Sequence, residues 1–181
     1  MIIFEGPDNT GKSTAVKQVL HRIPSLVFGG HSGGPPKSCE EWEGRMNTIL
    51  IKPTSETIPL VLDRFFFSEK VYGKILRPDS NIIPRRLMNT LEQRLLEHDP
   101  LIIYCRRPYH RILHGFDDRS QLTGVKENLI TICREYDILF SQGWSLGNRL
   151  YVYNFEEPLA LSYLCQAIEE YLFERGLKCT L

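Results

Sequence analysis

No charge of either sign dominates the chain: 22 lysines and arginines face 22 aspartates and glutamates. No global field therefore draws it to nucleic acid. It also lacks any apolar run long enough to cross a membrane, and nothing at its start resembles a signal peptide, so the expectation is a cytoplasmic protein with no membrane partner. Cysteine is scarce and scattered: Cys39, Cys105, Cys133, Cys165 and Cys179 are odd in number and never form C-x-x-C. That spacing speaks against a structural zinc and reads as reduced thiols in a core. His110 and His114 stand four apart on an expected helix with no nearby acidic ligand, the pattern of an ordinary helix face. What is present suits burial, since 181 residues with 42% hydrophobic content can form the core of one domain spanning 1–181.

The chain opens on the apolar run Met1 to Glu5, followed by Gly6-Pro7-Asp8-Asn9-Thr10-Gly11-Lys12-Ser13-Thr14, which fits G-x-x-x-x-G-K-S. Each position has a physical reason. Gly6 and Gly11 let the backbone turn with its N–H groups inward, a nest of donors for a β-phosphate, and the helix that follows adds its positive end. Lys12 supplies a compact cation for the β- and γ-phosphates, and the Ser13 hydroxyl is suited to ligating Mg²⁺. Val16, Val19, Leu20 and Ile23 fall on one side of a helix over Ser13 to Ile23. The segment implies a nucleoside triphosphate, ATP, with Mg²⁺.

Apolar runs at Ile2 to Glu5, Leu26 to Phe28, Pro59 to Asp63, Leu101 to Cys105 and Leu150 to Tyr153 read as five strands. Helical patterns lie between and after them at Glu40 to Ile51, Phe66 to Leu76, Pro84 to Glu97, Val125 to Phe140 and Pro158 to Phe173. Continuous apolar strands alternating with helices imply a three-layer α/β domain around a five-stranded parallel sheet. Ligands of such sheets gather at the carboxyl ends of the strands. There Asp63 and Arg64 end an apolar strand, on the same edge as the phosphate loop. Asp63 can join the Mg²⁺ shell or accept a proton, and Arg64 can clamp a phosphate. From Arg64 to Arg111 ten basic residues meet five acidic ones, a local surplus suited either to phosphate groups or to a solvated, salt-bridged helix face.

The loop Glu5 to Thr14, together with Asp63-Arg64-Phe65-Phe66-Phe67-Ser68-Glu69-Lys70-Val71-Tyr72-Gly73, resembles the thymidylate kinase family, with its E-G-x-D-x-x-G-K-S-T and D-R-Y-x-x-S-x-x-A-Y motifs. Ile102 to Pro108 sits where that family places its fourth strand and the turn before its lid. The resemblance implies an ATP-dependent kinase in which Asp8 reaches the acceptor nucleoside. It also implies that Arg64 binds acceptor phosphate and that Phe65, Ser68 and Tyr72, with Arg77, line the acceptor pocket. It puts a short lid near 115–123, with Arg119 or Arg111 closing over the ATP phosphates, and it allows a homodimer through the helix Glu40 to Ile51.

Where the family carries T-R-E-P-G-G-T, this chain has Phe28 to Lys37 with Gly-Gly-Pro-Pro, and the arginine of that motif has no counterpart. Together with Val71 to Arg77, this is more similar to divergent bacteriophage members of the family. Those include kinases of free nucleotides and kinases of 5-hydroxymethyluracil in phage DNA. Two acceptors follow: the hydroxymethyl group of 5-hydroxymethyl-deoxyuridine in DNA, as in thymidine hypermodification, or free dTMP. A phosphate acceptor needs no general base, whereas an alcohol needs a carboxylate beside it, for which Asp8 and Asp63 are the candidates. A base in DNA must also leave the stack, over an aromatic such as Phe65 or Phe66, with Lys37, Arg77, Arg85 or Arg86 on the backbone. A GTPase would show N-K-x-D and a motor ATPase an acidic pair at the strand end; the chain has neither, leaving a non-kinase NTPase as the remote alternative.

Overall fold

Five short apolar runs pair as strands: β1 (Ile2–Glu5), β2 (Val27–His31), β3 (Leu60–Asp63), β4 (Leu101–Cys105) and β5 (Leu150–Tyr153). The computed structural model that shows them describes residues 1–31, 33–51, 59–80, 83–115, 122–141 and 149–177. The strands form one parallel sheet in the order β2-β3-β1-β4-β5. Among the described residues seven α-helices accompany it: α1 (Lys12–Arg22), α2 (Cys39–Ile51), α3 (Phe66–Leu76), α4 (Arg85–Glu97), α5 (Tyr109–His114), α6 (Leu129–Ser141) and α7 (Ala160–Glu174), with a 3₁₀ turn at Pro78–Ser80.

Period-two alternation in the strands divides the core between two faces. Ile3, Leu62, Ile102 and Tyr104 point into one cluster with Trp42, Met46, Phe66, Phe67, Leu91, Leu95, Ile132 and Tyr136 from α2, α3, α4 and α6. Ile2, Phe4, Val61, Leu101 and Ile103 point into the other, with Ala15, Val16 and Val19 of α1 and Leu164, Ile168 and Leu172 of α7. Burying a Leu or Ile side chain contributes about 1.5–3 kcal/mol, so each face gains enough to hold its helices against the sheet. The three-layer α/β architecture with five parallel strands is as the sequence implies.

Boundaries differ where local chemistry overrides periodicity. β2 runs on through Gly29, Gly30 and His31 instead of ending at Phe28, with an irregular register between Phe28 and Gly30. Pairing with β3 carries it that far: His31 lies opposite Asp63. A Cβ at Gly29 would stand 2.8 Å from the Leu62 side chain, so the glycine admits this close approach. Pro84 is the N-cap of α4 and not its first turn. α6 begins at Leu129, four residues later than the apolar pattern from Val125 implies, because 123–128 are turns.

Candidate active site

Three strand ends and one loop build the site. β1 leads into Gly6, whose φ of 139° only glycine adopts readily, and a Cβ there would stand 2.3 Å from the Cys105 carbonyl oxygen at the end of β4. Gly11, at φ 77°, is the N-cap of α1 and brings no side-chain cap, which leaves the N–H groups of the first turn for an anion. Thr10 Oγ1 donates to the Pro7 carbonyl at 2.8 Å and pins the loop. The Lys12 ammonium donates to the same carbonyl and lies 3.4 Å from Thr10 Oγ1. Burial, with Arg64 adding repulsion, pulls Lys12 down to about 8.

Asp63, at the end of β3, accepts a 2.6 Å hydrogen bond from Ser13 Oγ. His31 of β2 stands on the rim, its Nδ1 3.5 Å from Asp63 Oδ2. A carboxylate and a hydroxyl side by side form a hard-oxygen pair that fits Mg²⁺. They border a cleft of about 460 Å³ that Asp8, Asn9, Gly11, Lys12, Ser13, Thr14 and Arg64 also line.

Arg64 adopts φ 70°, a left-handed backbone that side chains rarely take, and its N–H extends the sheet by donating to Phe4 O at 2.9 Å. That turn sends its guanidinium back across the loop. Nη1 lies within hydrogen-bond reach of Gly6 O (2.9 Å), Ser68 Oγ (2.9 Å) and Tyr136 OH (3.1 Å), and Nη2 pairs with Asp8 Oδ1. Tyr72 OH donates to Asp8 Oδ2 at 3.0 Å and accepts from the Asp8 N–H. Beneath lies Glu5, fully buried, accepting from the Phe65 N–H at 2.6 Å and from Ser68 Oγ at 2.8 Å. Burial pushes the Glu5 carboxyl up from its ordinary value, with Arg64 pulling the other way.

A second cavity, about 210 Å³, opens beside the first and shares Asp8, Arg64 and Gly33 with it. Trp42, Phe65, Tyr72, Pro35 and Leu122 supply apolar walls, and Ser68, Glu69 and Arg77 polar ones. Arg45 of α2 holds the Gly-Gly-Pro stretch in place by donating to the Gly34 carbonyl at 2.9 Å. The structure thus brings Asp8, Arg64, Phe65, Ser68, Tyr72 and Arg77 to one cavity and Ser13 and Asp63 to the other. Phe66 turns into the core, fully buried, and away from both. Arg111 is exposed on α5 and lines neither cavity; Arg107 instead reaches the loop, 3.4 Å from Asn9 O, with its guanidinium over Phe155 and paired with Glu156. Arg119 and most of the expected lid lie outside the described residues.

The sequence did not single out Trp42, Glu69 or Tyr136. Trp42 sat in an ordinary amphipathic pattern, and Tyr136 meets Arg64 across 72 residues of chain with no motif to mark it. Glu69 lies within the stretch Asp63 to Gly73, and an acid one turn ahead of a glycine in an apolar helix was its available signal.

No family model matches the chain. The hemin import ATP-binding proteins HmuV of Bartonella quintana and Bartonella henselae are each 28% identical to it, over 128 and 126 residues. These stretches cover 69% and 68% of this chain but only 46% and 44% of theirs, so the chain spans less than half the length of the curated relatives it matches. Among solved structures, the YorR protein of Bacillus subtilis in complex with phosphorylated GDP superposes with a TM-score of 0.67 at 19% identity, covering 97% of this chain and 96% of that one. Deoxyadenosine kinase from M. mycoides with bound dATP gives 0.57 at 14%, covering 93% and 98%. Thymidylate kinase from Candida albicans gives 0.57 at 13%, covering 97% and 91%. At these identities the likeness is one of fold alone: a three-layer α/β domain around a parallel sheet of five strands.

Proposed function

We propose that this protein is an ATP- and Mg²⁺-dependent kinase that phosphorylates a hydroxyl group on a thymidine-like acceptor, the hydroxymethyl group of 5-hydroxymethyl-deoxyuridine in phage DNA. One observation carries the choice of a hydroxyl over a phosphate. Both arginines of the acceptor cavity are already matched by carboxylates, Arg64 by Asp8 and Arg77 by Glu69. A nucleotide phosphate would bring about two negative charges into a cavity whose own charges cancel. A neutral alcohol brings none.

The two aspartates then divide the work. Asp63, bonded to Ser13, belongs to the phosphate side, where the pair would hold Mg²⁺ and the ion would neutralise charge on the transferring phosphoryl group. Asp8 stands where the two cavities meet. The acceptor oxygen forms its bond to the γ-phosphorus, the bond from that phosphorus to the oxygen bridging it to ADP breaks, and the proton of the hydroxyl passes to Asp8. Arg64 and Tyr72 fix both Asp8 oxygens, so this carboxylate orients the nucleophile and takes its proton late. Exposed Lys37, Arg85 and Arg86 are available to a DNA backbone, whereas Arg77 is committed to Glu69 within the cavity.

Incubation with γ-labelled ATP and, in parallel, 5-hydroxymethyluracil-containing DNA and dTMP tests the proposal. Label should enter the DNA; transfer to dTMP alone overturns it.

A further inference from the structure

Helix α3 contains a glycine in its third turn where a helix gains nothing from one. Gly73 costs helix stability relative to alanine, and nothing in its backbone requires it. Its neighbours give the reason. A Cβ at position 73 would stand 2.4 Å from Glu69 Oε1 and 3.7 Å from Arg77 Nη2. The missing side chain lets Arg77, eight residues beyond Glu69, fold back along the helix and donate from Nη2 to both Glu69 carboxylate oxygens, at 2.6 and 2.7 Å. Both side chains line the acceptor cavity, Glu69 almost wholly buried, in company with Trp42 and Phe65.

Burying an ion pair against aromatic walls costs desolvation that its own attraction only partly offsets. Such a pair also presents a fixed pattern, a carboxylate that accepts and, next to it, a guanidinium that donates. We infer that the Glu69–Arg77 pair reads the hydrogen-bonding edge of the acceptor base, Glu69 accepting the imide N3–H of a uracil-type pyrimidine while Arg77 donates to the adjoining O4. This deepens the kinase reading of the same cavity and rests on it for the identity of the base. It assigns specificity to two residues that play no part in transfer itself. Gly73 is a positioning residue that acts through the carboxylate. The aromatic walls hold the ring by its faces, as stacking sites for bases do.

Binding calorimetry tests this apart from catalysis. The full chain is titrated with 5-hydroxymethyl-2′-deoxyuridine, its N3-methyl derivative and 5-hydroxymethyl-2′-deoxycytidine. The unmodified uridine should bind roughly 10- to 100-fold more tightly than either analogue, since each leaves a buried charged group without its partner. In Glu69→Met, which keeps the volume and removes the acceptor, the penalty for N3-methylation should shrink to within about threefold. Gly73→Ala displaces the carboxylate while strengthening the helix, so it should show the same shrinkage even if the Met variant fails to fold. Equal binding of all three nucleosides, no binding of any, or an N3-methyl penalty that survives Gly73→Ala overturns the inference. A clear penalty without phosphate transfer from labelled ATP would sink the kinase reading and leave the base reader standing.

Discussion

Lys12 carries an electrostatic consequence that falls within an accessible pH range. Its ordinary value of 10.5 falls to about 8 in the folded protein, because burial and Arg64 both disfavour the ammonium. Between those two values the unfolded chain holds a proton that the folded chain has released, so this residue's contribution to stability rises with pH from about 8 to 10.5. A polyphosphate needs the charged form and reverses the shift. Nucleotide binding at pH 8–9 should therefore take up protons, up to one per site, and affinity should fall as pH rises through that window. Calorimetry in two buffers of different ionisation enthalpy counts the protons; zero uptake would remove Lys12 from the phosphate site. Lys12→Ala should abolish transfer to every acceptor.

The two aspartates separate at the same scale. Asp8→Asn keeps the shape and loses the base, so kcat with the alcohol acceptor should drop by about 10²–10⁴ while the KM for ATP holds. Asp63→Asn should instead raise the Mg²⁺ concentration needed for half-maximal rate. Were both variants to alter the metal requirement equally, the division of roles would fail. Nothing in the sequence ranks these two residues. The ranking comes from Ser13 lying against Asp63 and Tyr72 against Asp8, contacts that span 50 and 64 residues of chain.

Among the elements, β1, β3 and β4 are legible because a strand covered on both faces is a continuous apolar run bounded by turn residues, and β5, a half-exposed edge strand, is legible from its run of β-forming residues Leu150 to Tyr153. β2 is only half legible: its last three residues are Gly29, Gly30 and His31, which carry no strand propensity and are held by pairing with β3. Helix α6 has a similar hidden content. Its apolar stripe is plain, yet Tyr136 on that stripe carries the hydroxyl that meets Arg64, Ser68 and Glu5 at 3.1, 3.1 and 3.4 Å. Tyr136→Phe removes that hydroxyl from a buried network and should cost about 1–2 kcal/mol in denaturant unfolding. Its second effect should be a lower kcat with little change in ATP affinity, because Arg64 loses one of the acceptors that aim it. A stability loss with an unaltered kcat would make the tyrosine purely structural. Gly73→Ala, by contrast, gains up to about 1 kcal/mol of helix propensity while displacing the Glu69 carboxylate from Arg77.

For the whole molecule, equal numbers of acidic and basic residues set a limit on how the proposed DNA acceptor would be engaged. If Lys37, Arg85 and Arg86 supply the backbone contacts, the slope of log K against log salt should be no steeper than about −2 to −3, at roughly 0.7–0.9 per contact. A slope near −6 would reveal a basic surface that this account does not contain. The order of strands and helices and the phosphate loop were legible, since both are written in local patterns. The acceptor cavity was legible at Asp8 and along Asp63 to Arg77. Its remaining walls, Trp42, Gly33 to Pro35 and Leu122, come from segments brought together by the sheet.

The charge balance of that cavity is the centre of the account, and the product's own chemistry tests it. Phosphorus NMR of the reaction with 5-hydroxymethyl-deoxyuridine DNA and dTMP present together distinguishes a phosphomonoester on an alcohol from the phosphoanhydride of a nucleoside diphosphate. The account predicts a monoester resonance appearing on the DNA as ATP is converted to ADP, absent in Lys12→Ala. A phosphoanhydride on thymidine, with no monoester formed, would contradict it.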